Sequence, residues 1–317
     1  MAQSRTSQST TAVVTGSKGL FGRLSASATR SFKLLLRRKS GVIGLGILVV
    51  FTLIAIFGPL IAPQDPNALT SFSDQILEPP SSQYWLGTDD NGRDVLSQLL
   101  IGARVSMIVG FAAAVVSVVI GALVGISAGY FGGATDKVLT AIDDFFLVIP
   151  FLPLAIVLAT LLGETANSLP GGRIFILIIV IGLTGWAGTS RIIRSQVLSV
   201  KERMFIEREK ALGASTWWIV RKQIFPNVLP LIFANTVLII ALSILTESTL
   251  SFLGLGDPTR ATWGQMLNSA NDSGAVAQGA WWFFLPPGIC IILVVLAFTM
   301  VGYAIEEIVN PKLRERQ

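Results

Sequence analysis

Side chains able to do chemistry are few in this chain, and most are carboxylates. Asp89, Asp90 and Asp94 surround Arg93 in the run Trp85-Leu86-Gly87-Thr88-Asp89-Asp90-Asn91-Gly92-Arg93-Asp94-Val95-Leu96. Three acids beside an arginine have the make-up of a metal or acid–base cluster, but their spacing is not that of a calcium loop. Gly, Asp and Asn at this density build successive tight turns, so the carboxylates are read as turn-stabilising acceptors, with Thr88 or Asp89 capping a short helix. Asp143 and Asp144 form a second pair, and Glu247 stands alone in an apolar run. There is no histidine, which excludes His-dependent triads and His-ligated zinc or haem. Cys290 is the single cysteine, so no intrachain disulfide or CxxC pair forms, and it reads as a small buried hydrophobe. No Gly-x-x-x-x-Gly-Lys-Ser/Thr loop occurs, and nothing in the sequence calls for a cofactor or a metal.

The elements that must hold these residues are membrane helices. Of the 317 residues 52% are apolar and only 14% charged, and the mean hydropathy is +0.67. Soluble domains run near 25% charged. Six apolar segments approach the ~20 residues needed to cross a bilayer: Val42–Ala62, Val105–Gly129, Ile142–Leu162, Ile174–Thr189, Val228–Leu250 and Phe283–Ile305. The first follows Arg37-Arg38-Lys39 like a signal peptide, but its apolar core is too long and Pro63 follows it, so it is read as an uncleaved span. The expected class is all-α and polytopic, with a tail at 1–40, a transmembrane domain at 41–309 and a second tail at 310–317.

Charge orients the spans. Twenty of the 24 Lys and Arg fall on the side shared by both tails, leaving Arg93, Arg104, Arg173 and Arg260 on the other. The positive-inside rule then puts both termini in the cytoplasm. The net charge of +5 is a match for the anionic inner leaflet of the bilayer rather than a sign of nucleic-acid binding. Residues 1–30 read as a disordered tail, and Phe21, Leu24, Phe32 and Leu35 among basic residues as a possible surface helix.

Two loops exceed what a connector needs: the external loop at 63–104 and the cytoplasmic loop at 191–227, with a further external loop at 255–282. In the cytoplasmic loop, a helix opening at Met204 puts Ile206, Lys210 and Gly213 on one face. Gly213-Ala214-Ser215 breaks it, with Gly213 left-handed or tightly packed and Ser215 capping a second helix, Thr216–Ile224. Pro226 and Pro230 mark entry to the fifth span. The loop is either an amphipathic interfacial linker or a helix–turn–helix docking on a cytoplasmic partner. Trp217 and Trp218 beside a charged rim favour docking.

Acids inside a span are costly and are functional candidates. Asp143 and Asp144, in the first turns of the third span, can reach water or pair with Lys137, a structural role. Glu247, deep in the fifth span, is open to three roles: a bond across a dimer interface, a pathway-lining acid, or a partner for the external loop. A proton-coupled carrier is the rival reading. No histidine, no second deep acid and no inverted repeat support it.

The cytoplasmic loop resembles that of bacterial ABC importer permeases, whose hallmark is Glu-Ala-Ala, three residues, Gly, then Leu-Pro ending thirteen residues after the Gly. Glu207, Gly213 and Pro226 match that spacing, with Ala211, Ala214 and Ser215 around the turn, while Arg208 and Glu209 replace the alanines and Phe225 the leucine. The external run from Trp85 to Leu96, with Tyr84 in place of a His, is similar to the DppC/OppC-type dipeptide and oligopeptide branch. So are Glu247–Gly256, Trp263–Leu267, Trp281-Trp282, Pro286–Gly288 and Asn310–Leu313. The resemblance covers roughly residues 34–316.

It implies a type I importer permease fold in the bacterial inner membrane. It also implies a heterodimer with a homologous permease, two cytoplasmic ABC ATPases, an external solute-binding protein and a peptide as substrate, with nickel, glutathione or oligosaccharides carried elsewhere in the branch. Residues 207–226 would couple to the ATPase, with Arg208 and Glu209 available for ion pairs there. The chain itself would perform no covalent chemistry.

Overall fold

The computed structural model describes residues 35–36, 38–63, 76–166 and 169–309. The expectations for residues 1–34 and for the tail at 310–317 lie outside the described residues. Leu35, expected in a surface helix, is buried against Val301 and Ala304. Among the described residues every regular element is helical, and the only β feature is a single bridge between Thr88 and Asp94.

Five helical runs are long and apolar enough to span a bilayer. They are α1 (Lys39–Ile61), α2 (Val95–Phe131), α5 (Gly172–Lys201), the continuous run Thr216–Phe252, and α10 (Trp281–Val309). Between α2 and α5, two shorter helices, α3 (Gly133–Val148) and α4 (Phe151–Gly163), meet at 90°. The expected straight third span Ile142–Leu162 is therefore a bent pair. The cause is local. Ile149 precedes Pro150 and takes an extended conformation (φ −70°, ψ 129°), because the proline ring disfavours α geometry in the residue before it. Pro153 sits in the first turn of α4, where a missing N–H costs no helical hydrogen bond.

Other boundaries moved outward. The second span begins ten residues earlier than expected, at Val95, because Asp94 caps it. Asp94 Oδ2 accepts from Ser97 N at 2.9 Å and Ser97 Oγ at 2.5 Å. The expected caps Thr88 and Asp89 do other work. The fourth span continues past Thr189 to Lys201, so Arg191 and Arg194 lie on α5 rather than in a loop. α6 (Met204–Ala211) follows. Then α7 (Thr216–Ile219), a π turn at Val220–Ile224 and α8 (Phe225–Phe252) join into one rod. Pro226 has no N–H to close an α turn, and the chain widens to a π turn just before it. A helix missed from sequence, α9 (Trp263–Asp272), lies inside the 255–282 loop.

α2 and α5 are the most extensively packed pair. Gly121, Gly125 and Gly129 run down one face of α2 at four-residue spacing. A Cβ at Gly121 would lie 2.7 Å from the Trp186 carbonyl oxygen, one at Gly125 2.5 Å from that of Ser190, and one at Gly129 2.8 Å from Val197 Cβ. Small residues at this interval let membrane helices approach backbone to backbone, which compensates for the lack of a hydrophobic drive between helices in lipid. Because 121, 125 and 129 meet 186, 190 and 197 in rising order, the two helices run parallel. The loop entering α2 and the segment leaving α5 therefore lie at opposite ends of the bundle. α9 is held under the first of these ends: Trp263 is fully buried, donates from Nε1 to the Leu99 carbonyl at 3.1 Å, and meets Phe51 edge to face at 5.6 Å.

Candidate functional site

At one end of the bundle, residues 202–226 form an exposed helix–turn–helix on a buried base. Ile206, Ile219, Ile224 and Val228 pack with Ile193, Val197 and Val200 of α5, fixing the element to the bundle. The turn is a Schellman motif: Gly213 N donates to the Lys210 carbonyl and Ala214 N to that of Glu209, both at 3.0 Å. Gly213 takes φ +80°, the left-handed conformation expected of it. Ser215 caps α7, accepting from Trp218 N at 3.3 Å. Ile206 and Lys210 do not act as one face, since Ile206 is buried and Lys210 exposed.

The outer surface carries Met204, Leu212 and Trp217 with 83%, 72% and 70% of their area exposed. Glu207, Arg208, Ala211, Gly213 and Ser215 are also exposed, and Glu209, Ala214 and Pro226 are half-buried. Among the described residues, Glu207, Arg208, Glu209 and Lys210 make no ion pair.

Above this element the carboxylates of α3 tie it to α5. Arg194 grips Asp136 with both Nε and Nη2 at 2.5 and 2.7 Å, and Arg191 bonds Asp144 at 2.5 Å. Ser190 Oγ donates to the buried Asp143 at 2.9 Å. The expected partner Lys137 takes no part. Sequence reasoning missed these pairs because their members lie 47 or 58 residues apart.

Glu247 lies in α8 and is 1% exposed. Its carboxylate accepts from Ser251 Oγ at 2.8 Å and Ser248 Oγ at 3.5 Å, and the hydroxyls of Ser106 on α2 and Thr262 lie close by. Thr262 is the N-cap of α9, accepting from Gln265 N at 3.1 Å. Its surroundings within this chain thus include α2 and the N-terminal end of α9 in the 255–282 loop.

A cavity with room for a solute lies elsewhere among the described residues. It measures about 480 Å³ and opens beside the α3–α4 bend between α2, α5 and α8. Its lining is apolar with scattered hydroxyls from Ser117, Thr184, Ser243 and Thr246, and the buried Ser117 Oγ has no partner. Phe146, at the bend, packs edge to face on Trp186 at 5.3 Å. Asp143, Asp144 and Glu247 are not among its walls. No charge marks this cavity in the sequence; the Ile149-Pro150 pair was the available signal.

At the other end the 85–94 run is a closed turn. Asp89 Oδ1 accepts from Asn91 N and Arg93 N at 2.8 and 2.7 Å, and Oδ2 from Gln98 Nε2 at 2.8 Å. Thr88 bonds back to Glu78 through its N and Oγ1, and its carbonyl accepts from Trp282 Nε1 at 3.3 Å. Gly87 is required there: its φ is +65°, and a Cβ would lie 2.7 Å from the Trp282 ring and collide with the Glu78 carbonyl. Gly92 is also left-handed, and Trp85 is 72% exposed. Burial first, then the neighbouring Asp89 charge, raises the Asp90 pKa above its ordinary value. Among the described residues no three His, Cys, Asp or Glu side chains are placed to hold a metal ion.

A bundle of apolar helices long enough to span a bilayer, with an apolar cavity at a bent span, defines a multi-pass membrane protein. Residues 121–315 match the family described as binding-protein-dependent transport system inner membrane component, and residues 29–80 the N-terminal TM domain of oligopeptide transport permease C. The chain is 36% identical over 285 residues to the dipeptide transport system permease protein DppC of Bacillus subtilis (strain 168), covering 90% of this chain and 85% of that one. It is 36% identical over 279 residues to the oligopeptide transport system permease protein OppC of the same organism, 87% of each. Against the glutathione transport system permease protein GsiD of Pectobacterium atrosepticum the figure is 31% over 272 residues, 86% of each. The chain thus belongs to the binding-protein-dependent ABC importer permeases, in their DppC/OppC-type branch, and is a transport subunit rather than an enzyme.

Proposed function

We propose that this permease pairs with a second, homologous permease to enclose a path for di- or oligopeptides, with the 480 Å³ cavity at the α3–α4 bend as its half of that path. The distribution of Lys and Arg supports an orientation with both termini in the cytoplasm. Residues 204–218 then face the cytoplasm and dock on a separate ATPase subunit. The observation that carries this is the helix–turn–helix itself: its backbone is locked by two caps and its base is buried, yet it presents Met204, Leu212 and Trp217 outward.

Movement at that surface has a route through the chain. Thr216–Phe252 is one helical run of 37 residues, ~55 Å long at 1.5 Å per residue. Near its far end Glu247 lies beside Ser106 of α2 and the Thr262 cap of α9. ATPase closure tilting this rod would shift the wall of the cavity and the loop at the opposite face together, alternating access to the path.

Peptide as solute is supported by the relatives named for dipeptide and oligopeptide transport. Glutathione, itself a tripeptide, is the second reading, supported by the GsiD likeness. Purification of the membrane complex through a tag on this chain tests the assignment. Two ATPases and a second permease should co-purify, and recovery of this chain alone from mild detergent would contradict it.

A further inference from the structure

Two long helices supply opposing walls of the cavity at the α3–α4 bend. Ile181, Gly185 and Gly188 come from α5, and Ile239, Ser243 and Thr246 from α8. Both sets fall at i, i+4 and i+7, the spacing of one helical face. The α5 wall is therefore bare of side chains at two of its three positions. A Cβ at Gly188 would meet nothing within 4 Å, and one at Gly185 would lie 3.3 Å from Ser117 Oγ and 3.9 Å from the Phe151 ring. The Ser117 hydroxyl of α2 thus lies beside Gly185 in the same wall. Thr184 and Thr246 return their hydroxyls to carbonyls of their own helices, Val180 at 2.7 Å and Leu242 at 2.8 Å. Ser117 does not: its Oγ is buried and has no partner. A buried hydroxyl left unbonded is costly until a partner arrives.

We propose that this cavity receives one apolar side chain of the peptide, that Gly185 and Gly188 set how large that side chain can be, and that Ser117 bonds the amide next to it. The inference deepens the importer reading given above and rests on it. Volume agrees, since about 480 Å³ falls within the ~300–1,000 Å³ of ordinary small-molecule sites. The walls select the chemistry. No charged residue lines the cavity, so a charged side chain would lose its water and gain no counter-ion. A lipid acyl chain would suit the apolar walls but would leave Ser117 unbonded. An apolar side chain beside a backbone amide meets both conditions. The peptide's charged termini then stay on the open side of the cavity, away from α5.

The test uses the intact importer in proteoliposomes, with its own binding protein and radiolabelled Leu-Leu and Ala-Ala as probes. The binding protein is the same throughout, so its preference cancels when a variant is compared with wild type. Gly188→Leu should lower uptake of Leu-Leu relative to Ala-Ala about tenfold, the scale on which an apolar pocket senses a change of size. Misassembly would lower both peptides together and leave their ratio alone. Gly185→Ala should shift the ratio in the same direction, and it serves if Gly188→Leu does not assemble. Ser117→Ala should lower uptake of both peptides severalfold while the melting temperature in detergent stays level or rises, because the hydroxyl it removes is unbonded in the free chain. An unchanged Leu-Leu to Ala-Ala ratio in both glycine variants would overturn the proposal and leave the cavity to lipid. Wild-type uptake of Ala-Ala but not of Leu-Leu would overturn it too, as would a Ser117→Ala variant that transports normally. If the wild-type importer takes up neither dipeptide with ATP and loaded binding protein, the importer reading fails and not the side-chain pocket alone.

Discussion

Gly213 separates the cost of shaping the cytoplasmic turn from the cost of blocking it. Its φ of +80° is unfavourable for any L-residue, but a Cβ built there meets no atom within 4 Å. Substitution therefore carries the backbone penalty alone, about 1–2 kcal/mol, well below the ~5–15 kcal/mol that holds a typical fold together. That penalty is nearly the same for alanine and for tryptophan. The two differ only outside the chain, where an indole would project from the face that carries Leu212 and Trp217. In proteoliposomes holding the full importer, peptide accumulated per ATP hydrolysed is the readout. Gly213→Ala should keep most of the wild-type ratio. Gly213→Trp should insert and assemble comparably and lose at least about tenfold in coupled uptake, the scale expected when a central interface position is disrupted. Equal uptake by the two variants at the wild-type ratio would mean that nothing covers this turn. An equal fall in both would mean that turn conformation, and not docking, was being read.

Two further substitutions test the framework. Gly125→Ala places a Cβ 2.5 Å from the Ser190 carbonyl oxygen, so α2 and α5 must separate by nearly 1 Å to restore ordinary contact, at about 1–3 kcal/mol. Gly46→Ala, with open space around it, should leave the melting temperature in detergent unchanged or higher, and equal melting of the two variants would refute the close-packed stripe. In the 85–94 turn, Asp89→Asn replaces an acceptor of three hydrogen bonds and should lower stability by about 1–3 kcal/mol at neutral pH. Asp90→Asn should behave in the opposite sense. With its folded pKa raised above 3.8, Asp90 adds stability below that pH and loses it as pH rises through the folded value. The asparagine variant should therefore melt with wild type in acid and above it at neutral pH, as a thermal series from pH 4 to 8 would register.

Much of this was legible locally. Apolar runs located the spans, Gly213 announced a left-handed turn and Ser215 a cap, and the Gly/Asp/Asn density of 87–94 announced hydrogen-bonded turns. These features are set by residues within a few positions of one another. The α3–α4 bend was masked by the apolar run on either side of Pro150, since hydropathy carries no direction. Asp94 as the cap of α2 was overlooked because the first turns of that helix are polar enough to read as loop. The partners of Asp143, Asp144 and Glu247 are fixed by tertiary packing across 47 residues or more, or by hydroxyls that are common in any membrane helix. The cavity at the bend is formed by five helices and carries no charge to mark it.

The central claim is that this chain moves solute only as the membrane half of an ATP-driven, binding-protein-dependent machine. Proteoliposomes containing this permease, its partner permease and the two ATPases should accumulate radiolabelled dipeptide when ATP is inside and loaded binding protein outside, and should lose uptake when either is omitted. Accumulation of the dipeptide by this chain alone, driven by a pH gradient without ATP, would contradict the account.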